Sequence, residues 1–155
     1  MAGMIYMKFS NWIKWSDRNK LNDLQYPGVY AIYINKHDIN NYSFNWIREI
    51  KYIGMTNSKR GLKGRLRQFE NTIKGKKSQH SGAKKIINKY KDYEKLVKEL
   101  YVAVHPFKCE GNSNTVKDLL IMGKVAEYEY ICFAEYVKRF GMLPEFNDKK
   151  RLPKK

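Results

Sequence analysis

The stretch from Val125 to Phe140 places three glutamates, Glu127, Glu129 and Glu135, among aromatic and aliphatic residues. On a helical wheel of about 100° per residue, Glu127 shares its side with lysines and Glu135 lies near an arginine, so we expect both to be solvated. Glu129 falls within the apolar stripe of the helix, where an unpaired carboxylate is costly. We therefore expect Glu129 to meet a cation, either a metal ion or a basic side chain in a buried ion pair.

The helix that carries these glutamates is predicted over residues 116–140, and Gly141 is expected to end it. Residues at steps of three and four are predicted to form its buried stripe, which Val125, Cys132 and Tyr136 widen on one side. The stripe consists of Leu119, Met122, Ala126, Tyr130, Phe133, Val137 and Phe140.

Two tyrosines are predicted to lie on neighbouring strands. They occur in the tripeptides Gly-Val-Tyr at 28–30 and Tyr-Ile-Gly at 52–54. Residues 29–34 and 49–54 are predicted to form two antiparallel strands, connected through 35–48 by a loop or a long hairpin. The hydroxyl groups of Tyr30 and Tyr52 can then converge on one face of the hairpin. Because the pKa of an unperturbed phenol is about 10, a nearby cation is needed before either serves as a base.

The remaining elements complete a small domain. Helices are predicted over residues 61–73 and 81–90, a third strand over 100–104 and a short extended piece near 143–147. A strand hairpin followed by helices predicts an α+β fold with a small, mostly antiparallel, three-stranded sheet flanked by helices. Residues 1–155 are predicted to form a single domain, with a core at about 27–148, an N-terminal extension over 1–26 and a basic tail over 149–155.

The charge of the chain favours a polyanionic partner. Its 31 Lys and Arg residues against 15 Asp and Glu residues leave a formal net charge of +16. Nucleic acid is the first candidate, because neutralised phosphates release counterions, and an anionic membrane surface is the second. No apolar segment approaches the roughly 20 residues that span a bilayer. Only two cysteines occur, so a reducing, cytoplasmic location is expected.

The two tripeptides stand in a recognisable order with later motifs. Tyr-Ile-Gly at 52–54 is followed by Met-Thr and by a helix that begins Gly-Leu-Lys-Gly-Arg65, and the glutamate helix is followed by Gly-Met-Leu-Pro-Glu-Phe-Asn147. This order resembles the GIY-YIG nuclease family, with the first motif as GVY, over about residues 27–147. The resemblance implies a metal-dependent endonuclease that hydrolyses DNA phosphodiester bonds. It places Tyr30, Tyr52, Arg65 and Asn147 at motif positions of the family.

The chain departs from the family pattern at one position. Many members carry a histidine one helical turn after the arginine, where this chain has Phe69. His80, which is followed by a serine, resembles the His-Ser pair of some homing members and can supply the missing group. The metal-binding glutamate of the family falls on the last helix, where the wheel favours Glu129, then Glu127, then Glu135.

The resemblance also implies a cofactor and a partner. A single carboxylate leaves most coordination sites of a divalent ion for water and phosphate, which suits Mg²⁺ or Mn²⁺. Arg65 is expected at the scissile phosphate and Lys63 at a flanking one. The lysines predicted to contact phosphates of double-stranded DNA are Lys74, Lys76, Lys77, Lys84 and Lys85.

The segment between the two tyrosine motifs is longer than in the shortest members of the family, and it resembles the compact restriction-enzyme branch. A type II, site-specific restriction endonuclease is therefore expected, and a palindromic target would suggest a homodimer. Two alternatives stay open. One is a non-catalytic nucleic-acid-binding protein on the same scaffold, and the other is a repair or mobile-element nuclease.

Overall fold

The centre of the protein is a sheet of four antiparallel strands. The computed structural model describes residues 8–147, so the basic tail predicted over 149–155 lies outside the described residues. The strands are β1 (Ile13–Lys14), β2 (Gly28–Ile34), β3 (Ile50–Thr56) and β4 (Leu100–Pro106), in the spatial order β1-β4-β2-β3. The prediction of three strands is wrong, because a strand of two residues is too short to show an alternating pattern.

Four α-helices occur within residues 8–147: α1 (Gly61–Ile73), α2 (Ser81–Tyr90), α3 (Tyr93–Lys98) and α4 (Val116–Phe140). The helices predicted over 61–73, 81–90 and 116–140 are confirmed, whereas α3 was not predicted. Gly141 ends α4 with a φ of 81°, a backbone conformation that favours glycine. The extended piece predicted near 143–147 is a turn, in which the Asn147 amide donates to the Pro144 carbonyl at 3.0 Å. None of these helices is long and apolar enough to cross a membrane.

Helices cover both faces of the sheet. Every residue of β2 is buried. Its even-numbered residues pack with α1, α2 and α3, and its odd-numbered residues pack with α4. The predicted α+β class, with an antiparallel sheet flanked by helices, is confirmed. Since both faces are covered, a functional group on β2 is reached only where the helices leave a gap.

Residues 8–27, the described part of the chain before β2, contribute side chains to both faces of the sheet, and residues 1–7 of the predicted extension lie outside the described residues. Trp12 packs on the α4 side of the sheet, and Trp15 packs on the α1 side; each is 1 % exposed. Ile13 of β1 pairs with Val102 of β4. Trp15 begins a short 3-10 helix, and its indole Nε1 donates to Glu70 of α1 at 2.6 Å. Trp15 lies before residues 27–147, the region that resembles the nuclease family. Its hydrogen bond therefore links the segment after β1 to α1.

Candidate active site

The β2–β3 hairpin carries both motif tyrosines on one face. Tyr30 lies opposite Gly54 and Tyr52 lies opposite Ile32, so the two tyrosines are diagonal neighbours. Their ring centroids are 6.1 Å apart. Tyr30 has 0 % of its surface exposed, while Tyr52 is half-buried. Tyr52 is therefore the tyrosine of the pair that solvent or a substrate can reach.

Two glycines leave space for these rings. A Cβ atom at Gly54 would stand 2.5 Å from the Tyr30 hydroxyl oxygen, and a Cβ atom at Gly82 would stand 2.5 Å from Cε1 of Tyr52. Both separations are shorter than packed carbon atoms tolerate. Gly54 is thus required in the Tyr-Ile-Gly tripeptide, because the side chain of Tyr30 occupies the space that a Cβ atom would need. Gly82 leaves the same space for the ring of Tyr52. The sequence analysis did not identify Gly82.

His80 connects the start of α2 to Tyr30. Its Nδ1 accepts a hydrogen bond from the Ala83 amide at 3.1 Å, which caps the helix. Its Nε2 lies 2.6 Å from the Tyr30 hydroxyl oxygen. An amide N–H can only donate, so Nδ1 carries no proton and the proton of the neutral ring resides on Nε2. His80 consequently donates to Tyr30 and does not accept from it.

Phe69 lies where many family members have their histidine, and its ring is 5.1 Å from that of His80. His80 is itself 1 % exposed. Burial lowers the pKa of His80 to about 3, and the charge of Arg65 adds to this effect. The imidazole is therefore neutral at pH 7, which agrees with the single proton that its two hydrogen bonds require.

Arg65 of α1 acts on both tyrosines. Burial raises the pKa of Tyr30 and of Tyr52, and the Arg65 guanidinium opposes that shift through its charge and through hydrogen bonding to the hydroxyl groups. Gln68 orients the guanidinium, because its Oε1 accepts from Arg65 Nη1 at 2.6 Å while its own amide donates to the Gln79 carbonyl. The buried Nε of Arg65 has no hydrogen-bond partner within the described residues. This donor is therefore not engaged within the described part of the protein.

Helix α4 is rotated relative to the predicted stripe. Leu119 is 51 % exposed and Tyr130 is 72 % exposed, so the prediction that both are buried is wrong. The buried line runs instead through Met122, Val125, Cys132 and Tyr136. The wheel could not distinguish these faces because both are largely apolar. Glu129 occupies the one remaining position of this buried line, between Val125 and Cys132.

Glu129 is close enough to the two tyrosines and the arginine for their charges to interact. Its side chain is half-buried, and its pKa is raised by burial, with the Arg65 charge acting in the opposite direction. Its own charge in turn raises the pKa of Tyr30 and of Tyr52. The carboxylate, the guanidinium and the two hydroxyl groups therefore lie within electrostatic range of one another.

The other two glutamates of the helix lie outside this group. Glu127 is exposed. Glu135 accepts from Arg139 Nε at 3.0 Å, in an ion pair one helical turn apart on the surface. Both positions agree with the solvated helix charges expected from the wheel.

The Glu129 carboxylate has no basic partner at ion-pair distance in the described part of the chain. Within residues 8–147, no Lys or Arg nitrogen comes within 4.0 Å of the Glu129 carboxylate, so the alternative of a close buried ion pair is not formed. The same residues contain no cluster of three or more His, Cys, Asp or Glu side chains that could hold a metal. A hard cation at Glu129 would therefore draw most of its oxygen ligands from water and phosphate, which Mg²⁺ accepts readily.

Asn147 and Lys63 take positions apart from the hydroxyl groups. The Asn147 side chain accepts from the Ile53 amide at 2.8 Å and donates to the Ile53 carbonyl at 2.9 Å. Both of its polar atoms are thus engaged by the residue next to Tyr52, which makes Asn147 a positioning residue for β3. Lys63 is exposed on α1, on a different side of the helix from Arg65.

The five lysines predicted to contact DNA follow α1 and begin α2. Lys76, Lys77 and Lys84 are exposed, and Lys85 is half-buried. Lys74 forms an ion pair with Glu70 at 3.4 Å, so part of its charge is already compensated within the protein.

Comparison of the chain with protein-family models, with curated proteins and with solved structures finds no match in any of the three.

Proposed function

We propose that the chain is a metal-dependent DNA endonuclease of the GIY-YIG type, most closely of the restriction branch, which hydrolyses phosphodiester bonds. The observation that carries this proposal is the convergence of Tyr30, Tyr52, Arg65, His80 and Glu129 from five different elements. Hydrolysis of a phosphodiester needs a base for water, a cation for the phosphate and a carboxylate for a metal ion. These side chains supply all three.

The hydrogen bonds around Tyr30 have a direction that favours Tyr52 as the base. His80 Nε2–H donates to the Tyr30 oxygen, so the Tyr30 proton is available to the Tyr52 oxygen, and this hydrogen bond lowers the pKa of Tyr52. A chain of donors thus ends on Tyr52, where it stabilises a phenolate. Tyr52 is also the more exposed of the two tyrosines. In this proposal Tyr52 accepts the proton from water. Tyr30 donates a hydrogen bond to the Tyr52 oxygen, and His80 fixes that direction because it donates to the Tyr30 oxygen.

Arg65 stabilises the negative charge that develops on the phosphate. Its guanidinium has a buried, unpartnered Nε, and Gln68 holds its other end. A bound Mg²⁺ or Mn²⁺ at Glu129 would add positive charge beside the phosphate and reverse the field with which Glu129 now disfavours the phenolates. Burial is the largest cause of the raised pKa of Tyr52, and the charge of Arg65 opposes it.

The step balances as a simple hydrolysis. The oxygen of water forms a bond to phosphorus, and one ester P–O bond breaks in line with it. Tyr52 accepts one proton from the attacking water, and the departing oxygen takes up a proton from solvent. No oxidant, reductant or covalent enzyme intermediate is needed.

Cleavage of a supercoiled plasmid with Mg²⁺ and with EDTA tests the proposal. The unmodified chain should cut with Mg²⁺ and be inactive with EDTA. Glu129→Gln removes the charge but keeps the shape of the side chain, so cleavage should fall by about 10²-fold or more, while binding of the plasmid in EDTA persists.

Glu127→Gln is the matched control, because it makes the same change at an exposed position of the same helix. It should cut at the rate of the unmodified chain. Full activity of Glu129→Gln, or loss of activity in Glu127→Gln alone, would contradict the assignment of Glu129.

The same assay distinguishes the alternatives. Discrete bands favour a restriction enzyme, and nicking at branched or damaged DNA favours a repair enzyme. A retarded but intact plasmid under Mg²⁺ favours a nucleic-acid-binding protein, for which the net charge of +16 would suffice.

A further inference from the structure

Two adjoining clefts share one wall on α1. A cleft of about 600 Å³ contains Arg65 and Gln68, and a second cleft of about 380 Å³ lies over the outer side of the helix. Arg60 and Gly64 line both of them. The side chain of Arg60 lies against Gly64, since a Cβ atom there would stand 2.4 Å from the Arg60 Cβ. The two clefts therefore meet at Gly64 and at the Arg60 side chain that packs on it.

The second cleft is lined by Arg60, Lys63 and Arg67 together with Gly64. The three basic residues follow one another at helical spacing, so they share a face of α1. We name this face the α1 basic track. It extends over about 10 Å of helix, the axial rise of about three phosphates along one DNA strand.

The charges of the track are not compensated within the described part of the chain. None of its three basic side chains has a carboxylate within 4.0 Å in residues 8–147, whereas Lys74 is paired with Glu70. The first turn of α1 contains no acidic residue. The track is thus an accessible, uncompensated cluster of cations beside the proposed catalytic arginine.

Main-chain amides of α1 cannot provide this anion site. The amides of Leu62 and Lys63 donate to the carbonyls of Tyr26 and Leu24, at 2.9 and 2.7 Å. The N–H groups that would otherwise face an anion at a helix start are therefore occupied. Any phosphate over the track must be bound by the side chains.

We infer that the α1 basic track binds the phosphates that flank the scissile phosphate on the same DNA strand, and that it holds the strand in register with Arg65. The inference rests on the proposed function for DNA as the substrate. It adds Arg60 and Arg67, which the sequence analysis did not select, to Lys63, which was expected at a flanking phosphate.

Binding of a fluorescent 20-bp duplex in EDTA, measured by anisotropy from 50 to 300 mM NaCl, tests the inference. The variant R60A/K63A/R67A should have a slope of log K against log salt that is less steep by about 2.7, because each lost phosphate contact contributes about 0.9. In cleavage assays with Mg²⁺, KM should rise by about tenfold or more while kcat changes little.

The matched control is K117A/K124A/K138A, which removes the same charge from exposed positions on α4. Its slope should change by less than one unit. Equal slopes for the two triple variants would overturn the inference while leaving the proposed function intact. If the first triple variant does not fold, as judged by circular dichroism, Lys63→Glu alone should still weaken binding, and unchanged binding would overturn the inference.

Failure of the proposed function gives a different result. The unmodified chain would then bind the duplex but leave it intact with Mg²⁺, and the difference between the two triple variants would identify the track as a DNA-binding surface without catalysis.

Discussion

The direction of a single hydrogen bond decides what His80 can do. Because the Ala83 amide occupies Nδ1, the imidazole presents only a donor to Tyr30. The sequence analysis expected that His80 can supply the group missing at position 69, and the role of general base would require Nε2 to accept the Tyr30 proton. In the observed geometry Nε2 donates to the Tyr30 oxygen, so we propose that His80 positions Tyr30.

The buried His80 should make stability depend on pH. Its pKa is about 3 in the folded chain and about 6.5 when exposed. The unfolded chain binds the proton first, so the free energy of unfolding is fully present above pH 6.5 and falls as pH decreases toward 3. The slope in this window should approach about 1.4 kcal/mol per pH unit.

His80→Asn tests this expectation, because asparagine caps a helix well but does not titrate. Urea unfolding at pH 7.5, 6.5, 5.5 and 4.5 should give a flatter dependence for the variant than for the unmodified chain. Measurements stop at pH 4.5 because Glu70 and Glu145, whose pKa values are lowered by their hydrogen bonds and ion pairs, contribute below it. Parallel curves would contradict the role of His80.

At the scale of elements, α2 must approach β3 closely for the site to form. The contact passes through Gly82, which touches the ring of Tyr52. Gly123, in the exposed part of α4, has no neighbouring atom within 4 Å of its potential Cβ position. A side chain at position 82 would therefore collide with Tyr52, whereas a side chain at position 123 would meet open space.

The variants Gly82→Ala and Gly123→Ala test this difference in packing. Gly123→Ala should raise the free energy of unfolding by about 0.5–1 kcal/mol, because alanine is the better helix former. Gly82→Ala should lower it by about 1–3 kcal/mol and should also reduce cleavage, since the Tyr52 ring has to move. Chemical denaturation and the plasmid assay measure both effects, and a stabilised, fully active Gly82→Ala would contradict the close contact.

The bounds of most strands and helices were predictable from the sequence, but the rotation of α4 about its axis was not. The strands that carry Tyr30 and Tyr52 and the three longer helices follow directly from residue patterns. Helix α3 was missed because it is short and polar, and β1 because two residues have no periodicity. The rotation of α4 was missed because Leu119 and Tyr130 make its outer face almost as apolar as its inner face.

Glu129 was selected among the three glutamates of α4 through a wheel that proved to be rotated. The rotation does not change the choice of Glu129, because Val125 and Cys132, which flank it on the wheel, are buried in either orientation. The roles of Gln68 and Gly82 depend on contacts between α1, α2 and β3, and no local pattern reports such contacts.

At the scale of the whole molecule, the net charge of +16 is spread over a chain of 155 residues. Ion pairs within residues 8–147 involve few of the basic side chains, so mutual repulsion is only partly relieved. A bound polyanion relieves it further, and a ligand that binds the folded chain alone stabilises that chain by mass action.

Heparin, a polyanion that a DNA endonuclease does not cut, should therefore raise the melting temperature. At 50 mM salt and a concentration about 100-fold above its Kd, the gain should be about 5 °C or more. It should disappear near 0.5 M salt, where charges are screened within a few ångströms. Scanning calorimetry measures the shift, neutral dextran is the control, and a shift of equal size at both salt concentrations would contradict the electrostatic origin.

The two-point contact of Asn147 with Ile53 closes the outer side of β3, an edge strand of the sheet. Phe146 adds a third bond, from its amide to the Lys51 carbonyl at 3.0 Å. Unpaired amides and carbonyls along such an edge are a template on which strands of other molecules add and aggregation begins. We therefore expect the turn at residues 144–147 to limit strand addition at β3, the strand that carries Tyr52.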